Sequence, residues 1–257
     1  MAEQAIFRGV GVALVTLFKD QGQLDADATA RHAAQLVELG VKAVLVAGST
    51  GEAAALDVDE QIELIRAVRN AVPPGGGTPV IAGAGAPSAR QAVRLTVAAR
   101  DLGADAVIAL SPPRASDPRP YYDEVTKAAS GIPVVAYHFP AVSPPGIPLE
   151  VLNELPVAAM KDSSGEAARL LATLDAWDRP VYPGSSSLIT LAGVLGCPGV
   201  ILGVANVEPE ACIAAFGGDP GAQLKLAKLR ASEARFPHGL KALIAARFGY
   251  STTARFG

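Results

Sequence analysis

The stretch Val157-Ala158-Ala159-Met160-Lys161-Asp162-Ser163-Ser164-Gly165 runs four apolar residues directly into a lysine and closes on a polar, glycine-ended turn. Residues 157–160 read as a buried strand, because a short apolar run bounded by turn residues leaves no polar face for solvent. An ammonium at the end of such a strand loses hydration, which favours the neutral amine. A neutral amine is a nucleophile, so Lys161 is a candidate Schiff-base former. The alternative is a lysine that simply ends a strand and carries its charge to water on an alkyl stem.

Outward from this stretch the same pattern recurs. Residues 10–17, 43–47, 79–82, 104–110, 132–137, 180–182 and 199–204 are further apolar runs. Helix patterns lie between them. Leu24-Asp25 opens one that carries Ala28, His32, Leu36 and Leu39 and stops at Gly40; Asp57 or Asp59 opens the next; Ser88 opens a third that ends before Gly103. Others fall at 121–129, 148–155, 166–177, before Leu195, and at 209–216. Apolar strands each followed by a helix argue for a parallel sheet covered on its outer face. Eight such units fit a closed barrel better than an open doubly wound sheet. The expected fold class is therefore α/β, a (β/α)8 TIM barrel over residues 1–217. A short C-terminal helical extension of one or two helices is expected over residues 218–257.

Composition narrows the function. Half of the 257 residues are hydrophobic and 18% are charged, so a large core is available. A net charge of -3 with no basic stripe makes nucleic acid and anionic membrane poor partners. Aromatic residues at 5% offer no platform for stacking single-stranded bases. Cys197 and Cys212 lack paired spacing, and His32, His138 and His238 stand far apart, so neither a disulfide framework nor a metal site is expected. Residues 1–8 lack the pattern of a secretory leader, and no apolar run reaches bilayer-spanning length; a cytoplasmic protein is expected. Gly83-Ala84-Gly85 follows a strand, but Ser88 stands where a dinucleotide fingerprint wants its third glycine.

In a barrel of this kind the functional groups gather where strands end. Strand two ends in Gly48-Ser49-Thr50-Gly51-Glu52, strand five in Tyr137-His138-Phe139-Pro140 and strand six in Lys161-Asp162-Ser163. Strand seven ends in Gly184-Ser185-Ser186-Ser187 and strand eight in Leu202-Gly203-Val204-Ala205-Asn206. An amine that attacks a ketone gives an iminium, an electron sink for making or breaking the adjacent bond. A tyrosine across the mouth can relay protons. Two hydroxyls flanked by glycines, Ser49 and Thr50, can hold a small carboxylate with the backbone N–H groups around them. Each piece alone also has an ordinary explanation: a glycine-rich turn, or a packed tyrosine. Their concurrence at successive strand ends is what points to chemistry.

With these residues in place the chain resembles the dihydrodipicolinate synthase / N-acetylneuraminate lyase family of class I pyruvate aldolases. Gly48-Ser49-Thr50-Gly51-Glu52, Tyr137 with Phe139-Pro140, and Met160-Lys161-Asp162-Ser163 carry the resemblance, which spans roughly residues 8 to 217. It implies that Lys161 carries pyruvate as an iminium, that Tyr137 relays protons with Thr50 beside it, and that Gly48, Ser49 and Thr50 hold the pyruvate carboxylate. Ser163, Gly184, Ser185 and Leu202 join them as expected substrate-binding positions. It further implies no metal or organic cofactor, and a homo-oligomer, a dimer or a tetramer built from dimers.

The departures bear on substrate. The synthase has an arginine five residues after the tyrosine, where this chain has Val142, and it lends a tyrosine to its neighbour where this chain has Arg114. The neuraminate lyase has an acidic pair after strand seven, where this chain has serines. Residue 16 is threonine but residue 17 is leucine, where the family commonly has Thr-Pro, and the region after 217 is shorter than the family's three-helix extension. Small serines and an arginine, Arg114 or Arg119, suit a shorter acidic partner such as a 2-keto-3-deoxy sugar acid. The expected activity is a lyase that joins pyruvate or another 2-oxo acid to an aldehyde, or cleaves such a product. The alternatives are dihydrodipicolinate synthase proper, a dehydratase using the same iminium, and a non-catalytic barrel that binds a keto acid.

Overall fold

The computed structural model describes residues 5–256. Eight strands, β1 (Gly9–Ala13), β2 (Ala43–Val46), β3 (Val80–Gly83), β4 (Ala106–Leu110), β5 (Val134–His138), β6 (Ala159–Asp162), β7 (Val181–Pro183) and β8 (Gly199–Leu202), form one parallel sheet. Its order is β7-β6-β5-β4-β3-β2-β1-β8, and β7 lies beside β8 to bring the ring to near closure. The first seven helices, α1 (Ala26–Glu38), α2 (Val58–Ala71), α3 (Ala89–Asp101), α4 (Arg119–Ala129), α5 (Ala167–Ala176), α6 (Ile189–Val194) and α7 (Pro209–Phe216), follow β1 to β8, with a 3-10 turn at Leu149–Glu154 alone between β5 and β6. This is the (β/α)8 TIM barrel that the alternation predicts.

Local sequence explains where helices begin. Asp25 accepts a hydrogen bond from the Ala28 N–H, Ser88 caps α3, and Asp57 with Glu60 closes a reciprocal capping box at α2. Of the two residues that could open α2, Asp57 is the cap.

Strand alternation divides the core into two layers. Ala43, Leu45, Ile81, Ala106, Ile108, Val135, Tyr137, Ala159, Tyr182 and Ile201 fill the lumen, and Val44, Val46, Val107, Ala136, Met160, Val200 and Leu202 pack outward. Phe7 plugs the N-terminal end of the lumen, stacked on Tyr182 with ring centroids 4.6 Å apart. Gly11 and Gly199 make room for it, since a Cβ on either would lie 2.9 Å from the Phe7 ring.

Besides the bounds of two strands, with β1 ending at Ala13 rather than at residue 17 and β8 at Leu202 rather than at residue 204, three expectations change. Strand β6 does not stop at Met160 but continues through Lys161 to Asp162, because Gly184 and Ser163 donate on into the ladders at its end. Lys161 is 3% exposed, in keeping with the desolvated lysine expected here and not with the alternative of a strand-end side chain in water. Three helices rather than one or two follow α7, namely α8 (Pro220–Ala227), α9 (Arg230–Glu233) and α10 (His238–Phe248). Within them Pro220, Pro237 and the buried Lys241 interrupt the apolar periodicity that a sequence reading relies on. The third is Leu202, treated with the site below. Among the described residues no helix is long and apolar enough to cross a membrane, and no cluster of His, Cys, Asp or Glu could hold a metal ion. The reading of residues 1–8 depends on Met1 to Gln4, which lie outside the described residues.

Candidate active site

The C-terminal ends of the strands open on one mouth, and the buried lysine sits just below it. Lys161 on β6 pairs in register with Tyr137 on β5 and Tyr182 on β7. Residues in register on neighbouring strands point the same way, so Lys161 and Tyr137 both enter the lumen. The Lys161 Nζ lies 4.4 Å from the centroid of the Tyr137 ring, and that ring stacks on Phe139 with centroids 5.9 Å apart. The amine thus rests on an aromatic face in a lumen otherwise lined by apolar side chains.

Ser163, two residues on, shares the lumen side with Lys161. Gly184 at the end of β7 leaves the space both need: a Cβ there would run into the Ser163 Oγ and come within 3.0 Å of the Lys161 Cε. Glycine at 184 therefore leaves the lysine and serine side chains room that a Cβ could take only by displacing them. Ser185 follows, half-buried, with its Oγ accepting from the Ser187 N–H at 3.3 Å. The other two serines face the C-terminal helices. The Ser186 hydroxyl donates to Glu233 Oε2 at 2.6 Å, and the Arg230 guanidinium donates to the Ser187 hydroxyl.

Across the mouth, Gly48, Ser49 and Thr50 are half-buried in a loop that tightens into a 3-10 turn at Ser49–Gly51. Left-handed backbone at Ala47 (φ 54°) and Glu52 (φ 54°) brackets the loop. Thr16, in the loop just past β1, donates to the Gly51 carbonyl at 2.6 Å. Thr50 lies against Gly203, where a Cβ would sit 3.5 Å from the Thr50 Cγ2 and 3.6 Å from its Oγ1. Asn206, fully buried, ties the end of β8 to β1 by accepting from the Val15 N–H and donating to the Ala13 and Gly203 carbonyls.

The structure therefore puts Lys161, Tyr137, Ser163, Gly184, Ser185, Gly48, Ser49 and Thr50 around one opening. Leu202 does not join them as a side chain. It packs in the outer layer, and Ile201, one residue earlier, faces the lumen, because a strand changes sides at every residue. Arg114 is exposed in the loop after β4, in left-handed backbone (φ 62°), with its N–H donating to the Pro144 carbonyl at 2.7 Å. Arg119 is engaged elsewhere, paired with Asp117 at 2.8 Å and Glu154 at 2.5 Å. Val142 is 54% exposed.

His138 and Asp162 alternate away from Tyr137 and Lys161 into the layer outside the barrel. The His138 Nδ1 accepts from the Ile147 N–H at 2.9 Å, and burial, with Arg169 adding to it, holds the imidazole below its ordinary value. It is a neutral acceptor that anchors the loop after β5. Sequence reasoning missed Tyr122, whose hydroxyl bridges β4 and β5 by donating to the Ala109 carbonyl and accepting from the Tyr137 N–H. It also missed Lys241, which pairs with Glu52 at 2.6 Å with neither side chain exposed. The signal available was a lysine set inside the apolar run Leu240-Lys241-Ala242-Leu243-Ile244.

An amine held on an aromatic face beside a phenol, with a hydroxyl-bearing loop opposite, can add to the carbonyl of a small keto acid and hold its carboxylate. Comparison with known proteins shows what the chain is similar to. Residues 6–218 match the model of the Dihydrodipicolinate synthetase family. An uncharacterized DapA-like lyase from Halobacterium salinarum is 36% identical over 81% of this chain and 70% of its own length. A 4-hydroxy-tetrahydrodipicolinate synthase from Pseudomonas aeruginosa is 36% identical over 83% of this chain and 77% of its own. Among solved structures, dihydrodipicolinate synthase from Aquifex aeolicus superposes with a TM-score of 0.86 at 27% identity, covering 97% of this chain and 91% of that one. The KD(P)GA from T. tenax gives 0.83 at 26%, covering 95% and 89%.

Proposed function

The chain belongs to the dihydrodipicolinate synthetase family and is a lyase of the class I aldolase type, and on that premise we propose that it acts on pyruvate through a Schiff base at Lys161. In this reading the Lys161 amine attacks the pyruvate C2, the carbinolamine loses water, and the iminium draws electrons from the adjacent carbon. That carbon then adds to an aldehyde, or releases one in the reverse direction. Tyr137 relays the protons with Thr50 beside it, and Ser49, Thr50 and the N–H groups after Gly48 hold the carboxylate. The observation that carries the reading is the Lys161 Nζ held 4.4 Å over the Tyr137 ring at 3% exposure, beside a glycine that leaves it room.

The second substrate we propose is the aldehyde half of a 2-keto-3-deoxy sugar acid. Val142 stands exposed where the synthase has its arginine, and Ser185 offers hydroxyl chemistry at the mouth. Arg114 is the one cation of the β4 loop engaged by no side-chain partner among the described residues, and it is the proposed contact for a distal acidic group. The protein is proposed to act as a cytoplasmic homo-oligomer.

Incubation with pyruvate and borohydride tests the first step. The expected product is a secondary amine whose added mass equals pyruvic acid less one oxygen, mapped to Lys161 and absent from Lys161→Ala. No adduct, or an adduct that persists in Lys161→Ala, rejects the reading. Turnover of a panel of 2-keto-3-deoxy acids against aspartate semialdehyde plus pyruvate then decides the second substrate.

A further inference from the structure

The hydroxyl-bearing loop Gly48–Gly51 is held in a backbone that its own sequence does not favour. Ala47 and Glu52 are both non-glycine residues in the left-handed region, at φ 54° each, and such residues persist only where their surroundings over-determine them. At the Ala47 end the restraint is packing of the barrel itself, since a Cβ on Gly83 would strike the Ala47 carbonyl. At the Glu52 end the restraint comes from residues some two hundred positions away.

The Glu52 carboxylate is fully buried, and its partners among the described residues come from the first turn of α10 and from the segment that follows that helix. Oε1 meets the Lys241 Nζ at 2.6 Å, and Oε2 accepts from the Arg255 N–H at 2.8 Å and the Phe256 N–H at 3.0 Å. Lys241 also donates to the Thr253 carbonyl at 2.6 Å and rests 4.3 Å from the Phe18 ring. Arg255 fastens the same segment from outside. Its guanidinium donates to the Gly22 and Ala55 carbonyls at 2.9 Å each and pairs with Glu60 at 2.5 Å.

We infer that Lys241 and the 251–256 segment are positioning elements for keto-acid binding: they grip the Glu52 carboxylate and so fix the turn that presents Ser49, Thr50 and their N–H groups at the mouth. A carboxylate needs convergent donors in fixed places, and a loop free to relax at Glu52 loses that convergence before it loses its fold. A buried charged pair is weak evidence for stability, because its desolvation offsets its attraction, whereas fixing one conformation is a use such pairs can serve. This inference rests on the reading of Lys161 as the residue that carries pyruvate. It concerns ligand affinity, not the reactivity of the amine.

The test measures two quantities separately in the borohydride reaction: the extent of Lys161 labelling at saturating pyruvate, and the pyruvate concentration that gives half of it. Arg255→Gln keeps the backbone N–H but releases the outer ties, and Glu52→Gln/Lys241→Met replaces the buried pair by neutral groups of similar size. Half-labelling is expected to move up by about tenfold in the double variant and by roughly threefold in Arg255→Gln, the scale of small displacements in a binding constellation. The extent at saturation stays within about twofold of the unaltered chain, since the amine itself is untouched. Arg255→Lys recovers part of the loss.

An unchanged half-labelling concentration in Arg255→Gln, with circular dichroism and thermal midpoint as in the unaltered chain, overturns the inference. So does a fall in extent and thermal midpoint together in that variant, which would make the contacts structural only. Should the double variant not fold, Arg255→Gln and its lysine counterpart decide alone. Absence of any Lys161 adduct in the unaltered chain instead rejects the proposed chemistry, and with it the premise of this inference.

Discussion

Lys161 shows how one residue's meaning depends on its neighbours. Within its own stretch it could end a strand in water; held in register between Tyr137 and Tyr182 it is 3% exposed in an apolar lumen. His32 is a second buried group whose environment can be read as a pH effect. It is 0% exposed, its ring lies edge-on to Phe248 and Tyr250, and burial pushes it down from 6.5 to about 4, against a smaller opposing contribution from Asn206. Between those values the unfolded chain binds a proton that the folded chain refuses. Stability from this group is therefore complete above about pH 6.5 and drains away as pH falls toward 4, by about 3 kcal/mol in all. Urea unfolding at pH 7 and pH 4.5 should show the larger part of that loss, and the pH dependence should be much reduced in His32→Leu.

At the scale of the element, the strand-end loops owe their shapes to contacts that no loop makes with itself. The loop after β7 illustrates this. Gly184 leaves room for Lys161 and Ser163, while Ser186 and Ser187 are held by Glu233 and Arg230 of α9. Only Ser185 of the three serines is left for the mouth. Gly184→Ala is expected to cut borohydride labelling of Lys161 by roughly tenfold or more, because a displacement of the amine by about an ångström is enough for that. Its thermal midpoint should move little, the clash being with flexible side-chain atoms, and Ser163→Gly in the same chain should restore part of the labelling. Failure of Gly184→Ala to alter labelling would mean that the lysine has slack the packing does not show.

The whole molecule separates its tasks along the barrel axis. The N-terminal end is closed by Phe7 on Tyr182, whose hydroxyl accepts from the Phe7 N–H and donates to its carbonyl, and no candidate site residue lies there. The C-terminal end carries the loops, the amine and the contacts from α9, α10 and the 251–256 segment. Phe7→Ala should lower stability by about 3 kcal/mol through the cavity it leaves. The pyruvate concentration for half-labelling should remain that of the unaltered chain. Measuring both on one preparation tests the separation, and a shift in half-labelling would show the two ends to be linked through the lumen.

Much of this protein was determined by local sequence. The alternation of apolar runs with capped helices specifies a parallel barrel, because strands buried on both faces read as largely apolar runs and helices must cover them; Asp25, Asp57 and Ser88 fix helix starts by satisfying free N–H groups. Motif spacing brought Lys161, Tyr137, Ser49 and Thr50 into view for the same reason: strand ends of a closed barrel share one mouth. What the chain could not show locally was side and partner. Leu202 and Ile201 are equally apolar, and only the register of β8 on β1 decides that Ile201 faces the lumen. Lys241 stands out in its apolar run, but nothing in that run names Glu52 as its partner, and only folding brings the two charges within 2.6 Å with neither side chain exposed.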